Sequence, residues 1–370
     1  MALHRPAAGE RVAFIEPDTL DAALDEAEQL LRVGTDQYVD SPVASLLKQR
    51  LGGLFDSGRP RDRVVQAMPM AMVRTPSGLA KSGSDVVLGD LLTRPDTFTL
   101  RPDTICRRIL LDGSTAIGIE VWDVALWALR RIEAGTVVVA ADALHSPQLL
   151  FASGIRPMAL GHSLNEHFQV GLMVELDRAV ERSVAGGVTW VPSVDGSFPY
   201  SITITEAVPC MLPFGAEGRH PDHPTIFISL FAATDLVFDN CVAFDAEVLD
   251  WRSLPKLLPH VVPTAADLAR LETAREIFAR IAGTIGKPLP GFTYMRPPLG
   301  SSMHYQGTVR MGEADDGTSV CDADSRIWGF ENVYVAGNGV IPTVTATNPT
   351  LTSVALAVLG GQAVARQHSR

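Results

Sequence analysis

Three segments near the carboxyl end of the chain contain residue types suited to acid–base and redox chemistry. His304 lies in a segment without helical or strand periodicity, and an imidazole, with an ordinary pKa of about 6.5, can accept a proton near neutral pH. Gly337-Asn338-Gly339 ends an apolar run, and its small residues would let a ligand approach the backbone. Asn348-Pro349-Thr350 opens a helical pattern whose amino terminus favours negative charge.

These three segments lie within 45 residues of one another, so they could surround one planar, anionic cofactor with a proton acceptor on its open side. Each segment taken alone has a simpler explanation. Residues 337–339 could form an ordinary turn, residues 348–350 could be a plain helix start, and His304 could face solvent or satisfy a hydrogen bond. The combination favours a redox site.

Two other chemistries deserve comparison with this one. Ser301 and Ser302 precede His304, but the GxSxG turn of a hydrolase nucleophile is absent from the sequence. A metal could be bound by Cys210, His220 and His223, although a solvated loop is the simpler expectation for a proline-broken segment. We therefore predict no metal site.

Two predicted units must position these residues. The first is a strand followed by a loop and a helix, and the second is a strand and a helix near the carboxyl end. Residues 136–141 form a continuous apolar run that predicts a buried strand, and Ser146-Pro147 is expected to start the helix that follows. Residues 332–336 predict a second buried strand, and a helix capped by Asn348 follows residues 337–339. This arrangement is typical of a nucleotide-binding fold.

The remaining pattern indicates a second, sheet-based region. An amphipathic helix capped by Asp18 or Thr19 opens the chain, and a hairpin is predicted around Asp112-Gly113. From about 170 to 260 the sequence alternates apolar and polar residues in strands, and Thr264 caps a further helix.

Composition excludes several classes of protein. The 370 residues carry a formal net charge of -11, which argues against nucleic acid or an anionic membrane surface as the main partner. No signal peptide or membrane-spanning run is recognisable, and we predict a cytoplasmic protein. The four cysteines contain no CxxC pair and suit a reducing compartment; they are Cys106, Cys210, Cys241 and Cys321.

The sequence resembles the glucose-methanol-choline (GMC) oxidoreductases, and the residues of its motifs are most similar to those of the pyranose oxidase and C-glycoside 3-oxidase branch. The carboxyl-terminal resemblance lies in residues 304–312, 335–342 and 348–352. Residues 140–150, 153–155 and 160–167 are similar to a further family motif, and all of these segments occur in family order. The region from 170 to 290 carries no recognisable motif.

The resemblance implies a mixed α/β (α+β) fold and a flavin enzyme that oxidises an alcohol carbon. It places the GMC-type FAD-binding domain in residues 1–168 and 296–370, with a β-sheet substrate-binding domain in residues 169–295. His304 and Asn348 match the family's active-site histidine and asparagine. By the same matching, the FAD contacts are Cys106, Ala140, Ala141, Gly337, Asn338, Pro349 and Thr350.

The family's GxGxxG turn, which binds the flavin pyrophosphate, is absent from this sequence. We therefore expect an FAD-binding domain that is incomplete at its N-terminus, with the strand ending at Ala140 short of a neighbour. Three explanations stay open: a truncated reading frame, a separate chain that supplies the N-terminal half, or an inactive remnant that acts as a binding or partner subunit. The resemblance implies a sugar or glycoside substrate, with oxygen or a quinone as electron acceptor.

Overall fold

The computed structural model describes residues 2–181, 186–207 and 223–369. Its α-helices are α1 (Pro17–Leu30), α2 (Pro42–Phe55), α3 (Ser84–Leu88), α4 (Asp142–Ala152), α5 (Ala265–Ile285) and α6 (Thr350–His368). Its strands are β1 (Val33–Gly34), β2 (Gln66–Ala67), β3 (Met70–Thr75), β4 (Gly78–Lys81), β5 (Thr104–Asp112), β6 (Thr115–Asp123), β7 (Ala128–Glu133), β8 (Val137–Val139), β9 (Phe168–Leu176), β10 (Val188–Val191), β11 (Tyr200–Glu206), β12 (Thr225–Ala232), β13 (Cys241–Leu249), β14 (Pro255–His260), β15 (Gly286–Pro288) and β16 (Val333–Val335). The mixed α/β class expected from the sequence is confirmed.

The first hydrophobic core packs α1, α4 and α6 around the parallel pair of β8 and β16. Helix α1 is amphipathic as predicted, with Leu20 buried, but the predicted cap at Asp18 or Thr19 is wrong. The helix already begins at Pro17, whose fixed φ and missing N–H suit the first helical position.

Helix α4 begins at Asp142, ahead of the start predicted at Ser146-Pro147. A proline inside a helix leaves the carbonyl four residues earlier without its usual partner, here that of Ala143. The Thr308 hydroxyl donates to this carbonyl instead. The prediction was therefore wrong because a distant segment of the chain compensates for the proline, and this bond also ties α4 to the segment that follows His304.

The predicted hairpin around Asp112-Gly113 is confirmed: β5 and β6 pair in antiparallel fashion, and β7 extends the sheet. Gly113 takes a φ of 59°, a left-handed conformation that glycine adopts without steric cost. This sheet contributes Ile109 and Ala116 to the first core.

The second core lies under an antiparallel sheet with the strand order β15-β9-β12-β11-β10-β2. One face of this sheet is apolar and packs against α5 and α2. Thr264 caps α5 as predicted, because its hydroxyl accepts a hydrogen bond from the amide of Asp267. Helix α2 and strand β2 lie early in the chain yet pack with this second sheet.

The parallel pair of β8 and β16 forms the edge at which the predicted cofactor residues lie. Val137, Val138 and Val139 pair with Val333, Tyr334 and Val335. Among the described residues β8 pairs with β16 alone, and Val138 is 50% exposed. The edge of β8 that faces away from β16 therefore has no strand partner within the described ranges.

Candidate active site

The site is assembled by an antiparallel contact between two distant segments. Asn165 and Gln306 form an isolated antiparallel bridge, in which each amide donates to the other residue's carbonyl oxygen. In an antiparallel register a step forward on one segment matches a step back on the other, so His167 lies opposite His304. Gly307 follows with a φ of 90°, and a Cβ there would approach the Ser163 carbonyl oxygen to 2.4 Å.

The two imidazoles form a directed hydrogen-bond chain. The Nδ1 atom of His167 lies 3.2 Å from the Thr345 carbonyl oxygen, which can only accept, so this nitrogen carries the proton. In a neutral ring the Nε2 atom of His167 then accepts, and it lies 2.6 Å from Nδ1 of His304. His304 therefore carries its own proton on Nδ1. Its Nε2 atom is left with an unprotonated lone pair that can accept a hydrogen bond.

Burial keeps both rings neutral. Burial lowers the pKa of His304 to about 4. Burial, followed by the nearby His304, lowers the pKa of His167 to about 3. Since the ordinary histidine pKa is about 6.5, both imidazoles are uncharged at neutral pH and the hydrogen-bond directions above are maintained.

The loop before His304 is held by a carboxylate. Glu166 accepts hydrogen bonds from the amides of Gly300 at 2.6 Å and Ser302 at 3.0 Å, and from the Ser302 hydroxyl. The Ser302 oxygen in turn accepts from the His304 amide at 3.1 Å. Ser302 is thus engaged by Glu166 and the backbone, an arrangement unlike that of a hydrolase nucleophile.

Asn348 meets His304 across the site. Its Nδ2 atom lies 3.3 Å from Nε2 of His304, while its Oδ1 atom is buried without a protein partner. The prediction that Asn348 caps α6 is wrong, because Pro349 occupies the cap position and no side chain caps the helix. The carboxamide faces the imidazole instead, and the first amides of α6 keep their capacity to bind a negative group.

Four of the predicted cofactor residues share one edge of the sheet. Ala140 and Ala141 follow β8 and are exposed, and Gly337 and Asn338 follow the neighbouring strand β16. The carboxyl ends of parallel strands are where open α/β sheets bind ligands. Cys106 instead lies half-buried on β5 in a separate sheet, and burial raises its thiol pKa to about 11.

The residues present fit the ring end of a flavin. A Cβ built at Gly337 would meet no atom within 4 Å, so the backbone there is open to a ligand. The uncapped start of α6 offers amide donors, and the buried Oδ1 of Asn348 is an acceptor without a partner. Backbone donors and one orphaned amide suit a planar, polar ring system.

His167 is the main site residue that the sequence analysis did not predict. Its position at the end of segment 160–167, which carries the family resemblance, is the sequence feature that could have indicated it. Its partnership with His304 depends on the register of the Asn165 and Gln306 bridge, which no local pattern reveals.

Of the residues weighed above as an alternative metal site, Cys210 and His220 fall outside the described residues, whereas Nδ1 of His223 donates to the Leu176 carbonyl oxygen at 2.9 Å. Within the described ranges no group of three or more His, Cys, Asp or Glu side chains is placed to hold a metal ion. No helix in the described part of the chain has the length and apolar character needed to cross a membrane.

Comparison with known proteins yields consistent matches. Models of the GMC oxidoreductase family match residues 7–169 and residues 240–357. The chain is 41% identical to a C-glycoside 3-oxidase of Microbacterium trichothecenolyticum, over 98% of this chain and 73% of that protein. It is 30% identical to a pyranose 2-oxidase of Tricholoma matsutake, over 95% of this chain and 68% of that protein. The crystal structure of a pyridoxine 4-oxidase from Mesorbium loti superposes with a TM-score of 0.63 at 20% identity, covering 91% of this chain and 71% of that one.

Proposed function

Because the chain belongs to the GMC oxidoreductase family and is an oxidoreductase of CH–OH groups, we propose that it oxidises an alcohol carbon of a sugar or glycoside with FAD. The observation that carries this proposal is the lone pair on Nε2 of His304, which lies 3.3 Å from the Asn348 amide nitrogen. A base and a hydrogen-bond donor at one point are what a carbinol oxygen requires during oxidation.

When bound, FAD supplies the acceptor that takes the hydride from the carbinol carbon. As the carbon–oxygen double bond forms, Nε2 of His304 accepts the hydroxyl proton. The Asn348 amide donates to the same oxygen and holds it against the imidazole. The hydrogen bond of 3.3 Å between Asn348 and His304 is long, so a substrate oxygen can replace it at little cost. His167 keeps the base in the productive tautomer throughout.

The second sheet supports a polyhydroxylated substrate. The Phe231 ring of β12 lies 5.7 Å from the His304 ring and 4.8 Å from that of His167, which identifies the sheet face turned toward the site. The side chains that alternate onto this face include both polar and apolar types. The polar ones include Gln169, Thr203 and Ser229, of which Gln169 donates to Ser229 at 3.4 Å. Hydroxyl and amide groups beside an aromatic ring are suited to sugar hydroxyls.

For the cofactor we propose that Gly337, Asn338, Pro349 and Thr350 bind the flavin ring. Ala140 and Ala141 would lie toward the adenosine and pyrophosphate, and Cys106 toward the adenine. The open edge of β8 leaves room for a further strand in the FAD-binding domain. In this proposal residues 1–168 and 296–370 belong to that domain and residues 169–295 to the substrate domain, with α2 and β2 packed against the latter.

The test is an absorption spectrum of the purified protein loaded with FAD, recorded alone and with any polypeptide encoded beside it. We expect a flavin spectrum that a sugar or glycoside bleaches anaerobically, with oxygen or a quinone restoring the colour. A sample that retains no flavin in either setting would contradict the proposal and favour a binding or partner subunit.

A further inference from the structure

Glu10 is a buried carboxylate that contacts the segment leading into Asn348. It is 8% exposed and lies at the end of a short 3-10 turn, residues 8–10. Taking the proposed function as its basis, we propose that Glu10 is a positioning residue that sets the orientation of Asn348 and of the peptide to which His167 binds.

The contacts of Glu10 are numerous and come from three parts of the chain. Oε1 accepts from the amides of Ala346 at 2.7 Å and Thr347 at 3.2 Å, and Oε2 accepts from the Thr347 hydroxyl at 2.8 Å. The Ala7 amide donates to Oε2 at 2.9 Å and the Ser193 hydroxyl to Oε1 at 3.5 Å. Hydrogen bonds to an ionised carboxylate are roughly twice as strong as neutral ones. The consecutive backbone amides of Ala346 and Thr347 are therefore firmly held by Glu10.

One peptide plane connects Glu10 to the histidine pair. In the peptide between Thr345 and Ala346, the carbonyl oxygen accepts from Nδ1 of His167 and the N–H donates to Glu10. In a planar trans peptide these two groups point in opposite directions, so fixing the N–H also fixes the carbonyl. Glu10 thereby stabilises the acceptor that determines which nitrogen of His167 carries the proton.

The same contacts fix the chain just before Asn348. With the Ala346 and Thr347 amides held, the direction in which residue 348 leaves the backbone is set, and its carboxamide meets His304. Without the Glu10 carboxylate, the Ala346 and Thr347 amides would need new hydrogen-bond partners. No side chain caps the nearby start of α6, so no cap there would hold the segment in place. Loss of Glu10 should therefore let residues 345–348 move and should weaken both His304 contacts.

The first measurement follows backbone order and needs no catalysis. In Glu10→Gln the amide group can no longer accept on both sides, so we expect hydrogen exchange at Ala346 and Thr347 to rise by about tenfold or more. A matched control is Asp267→Asn, since Asp267 is also buried and caps α5 through the Thr264 and Asp235 amides. This control should leave exchange at 346–347 unchanged.

The second measurement follows chemistry in the FAD-loaded enzyme. Glu10→Gln should slow anaerobic flavin reduction by about tenfold or more, and Asp267→Asn should change it by less than about twofold. Combined with Asn348→Ala, Glu10→Gln should add less loss than it causes alone, because part of its effect passes through Asn348. Should Glu10→Gln not fold, Thr347→Val removes one hydroxyl contact to Glu10, and we expect a smaller loss in the same direction.

The outcomes separate this inference from the proposed function. Unchanged exchange at 346–347 in Glu10→Gln would overturn the inference even in an active enzyme. Faster exchange with an unaltered reduction rate, or full additivity with Asn348→Ala, would overturn it as well, since Glu10 would then be only structural. Wild-type protein that no sugar reduces would contradict the proposed function, and the exchange measurement would still decide whether Glu10 holds the segment.

Discussion

The Nε2 atom of His167 lies 2.6 Å from Nδ1 of His304, and the two rings meet edge to face at 85°. His167 is in turn bonded to the Thr345 carbonyl, which leaves it a single tautomer. The tautomer of His304 is therefore set by a residue 137 positions earlier in the chain. In this arrangement Nε2 of His304 is the accepting nitrogen, and no carboxylate partner is needed to make it so.

Replacing His167 tests this relationship. In His167→Leu the bond that selects the His304 tautomer is lost, and we expect flavin reduction to slow by about two- to twelvefold, since one hydrogen bond contributes about 0.5–1.5 kcal/mol. His167→Gln keeps an acceptor that can reach Nδ1 of His304 and should recover part of the rate. Stopped-flow absorbance measures both variants. Equal rates for the Leu and Gln variants would show that the ring only fills space.

The buried histidines predict how stability depends on pH. The pKa of His4 and of His167 is lowered to about 3 and that of His304 to about 4, chiefly by burial. Below pH 6.5 the unfolded chain binds protons that the folded chain does not. The free energy of unfolding therefore decreases as the pH is lowered, by up to about 1.4 kcal/mol per pH unit for each of these histidines. Urea unfolding between pH 7.5 and pH 5 should show this slope.

One variant isolates the contribution of a single histidine to that slope. His167→Gln should reduce the slope by about one proton. If this variant gave the wild-type slope, His167 would already be charged in the folded state at these pH values.

Asn348→Asp makes a prediction about the pH profile. His304 must be neutral to act as a base, so wild-type reduction should decline only as the pH falls toward the His304 pKa of about 4. A carboxylate beside Nε2 stabilises the charged imidazole and should move this acidic limb up by about 1–3 pH units. Asn348→Ala should lower the rate without such a displacement. An acidic limb that stays in place in Asn348→Asp would place the titrating group elsewhere.

Much of the local structure could be predicted from the sequence. Thr264 and Asp267 satisfy one another within one turn of α5, and Asp112-Gly113 supplies the backbone freedom that its hairpin needs. These features depend on neighbours in the chain. For the same reason the alternation in β11 was recognisable without its partners.

The errors and omissions have non-local causes. The start of α4 was mistaken because Thr308, far along the chain, satisfies the carbonyl that Pro147 leaves free. Asn348 was expected to cap a helix, but the distant His304 engages its amide. Glu10 was overlooked because its partners at 346 and 347 are joined to it only by the fold.

The most direct test of the account is the rate of anaerobic flavin reduction in His304→Ala, measured beside its dissociation constant for FAD. If Nε2 of His304 is the base, reduction by a sugar or glycoside should slow by about 10²–10⁴-fold, while the affinity for FAD changes by less than about threefold. Equal losses of reduction rate and FAD affinity, or reduction at the wild-type rate, would contradict it.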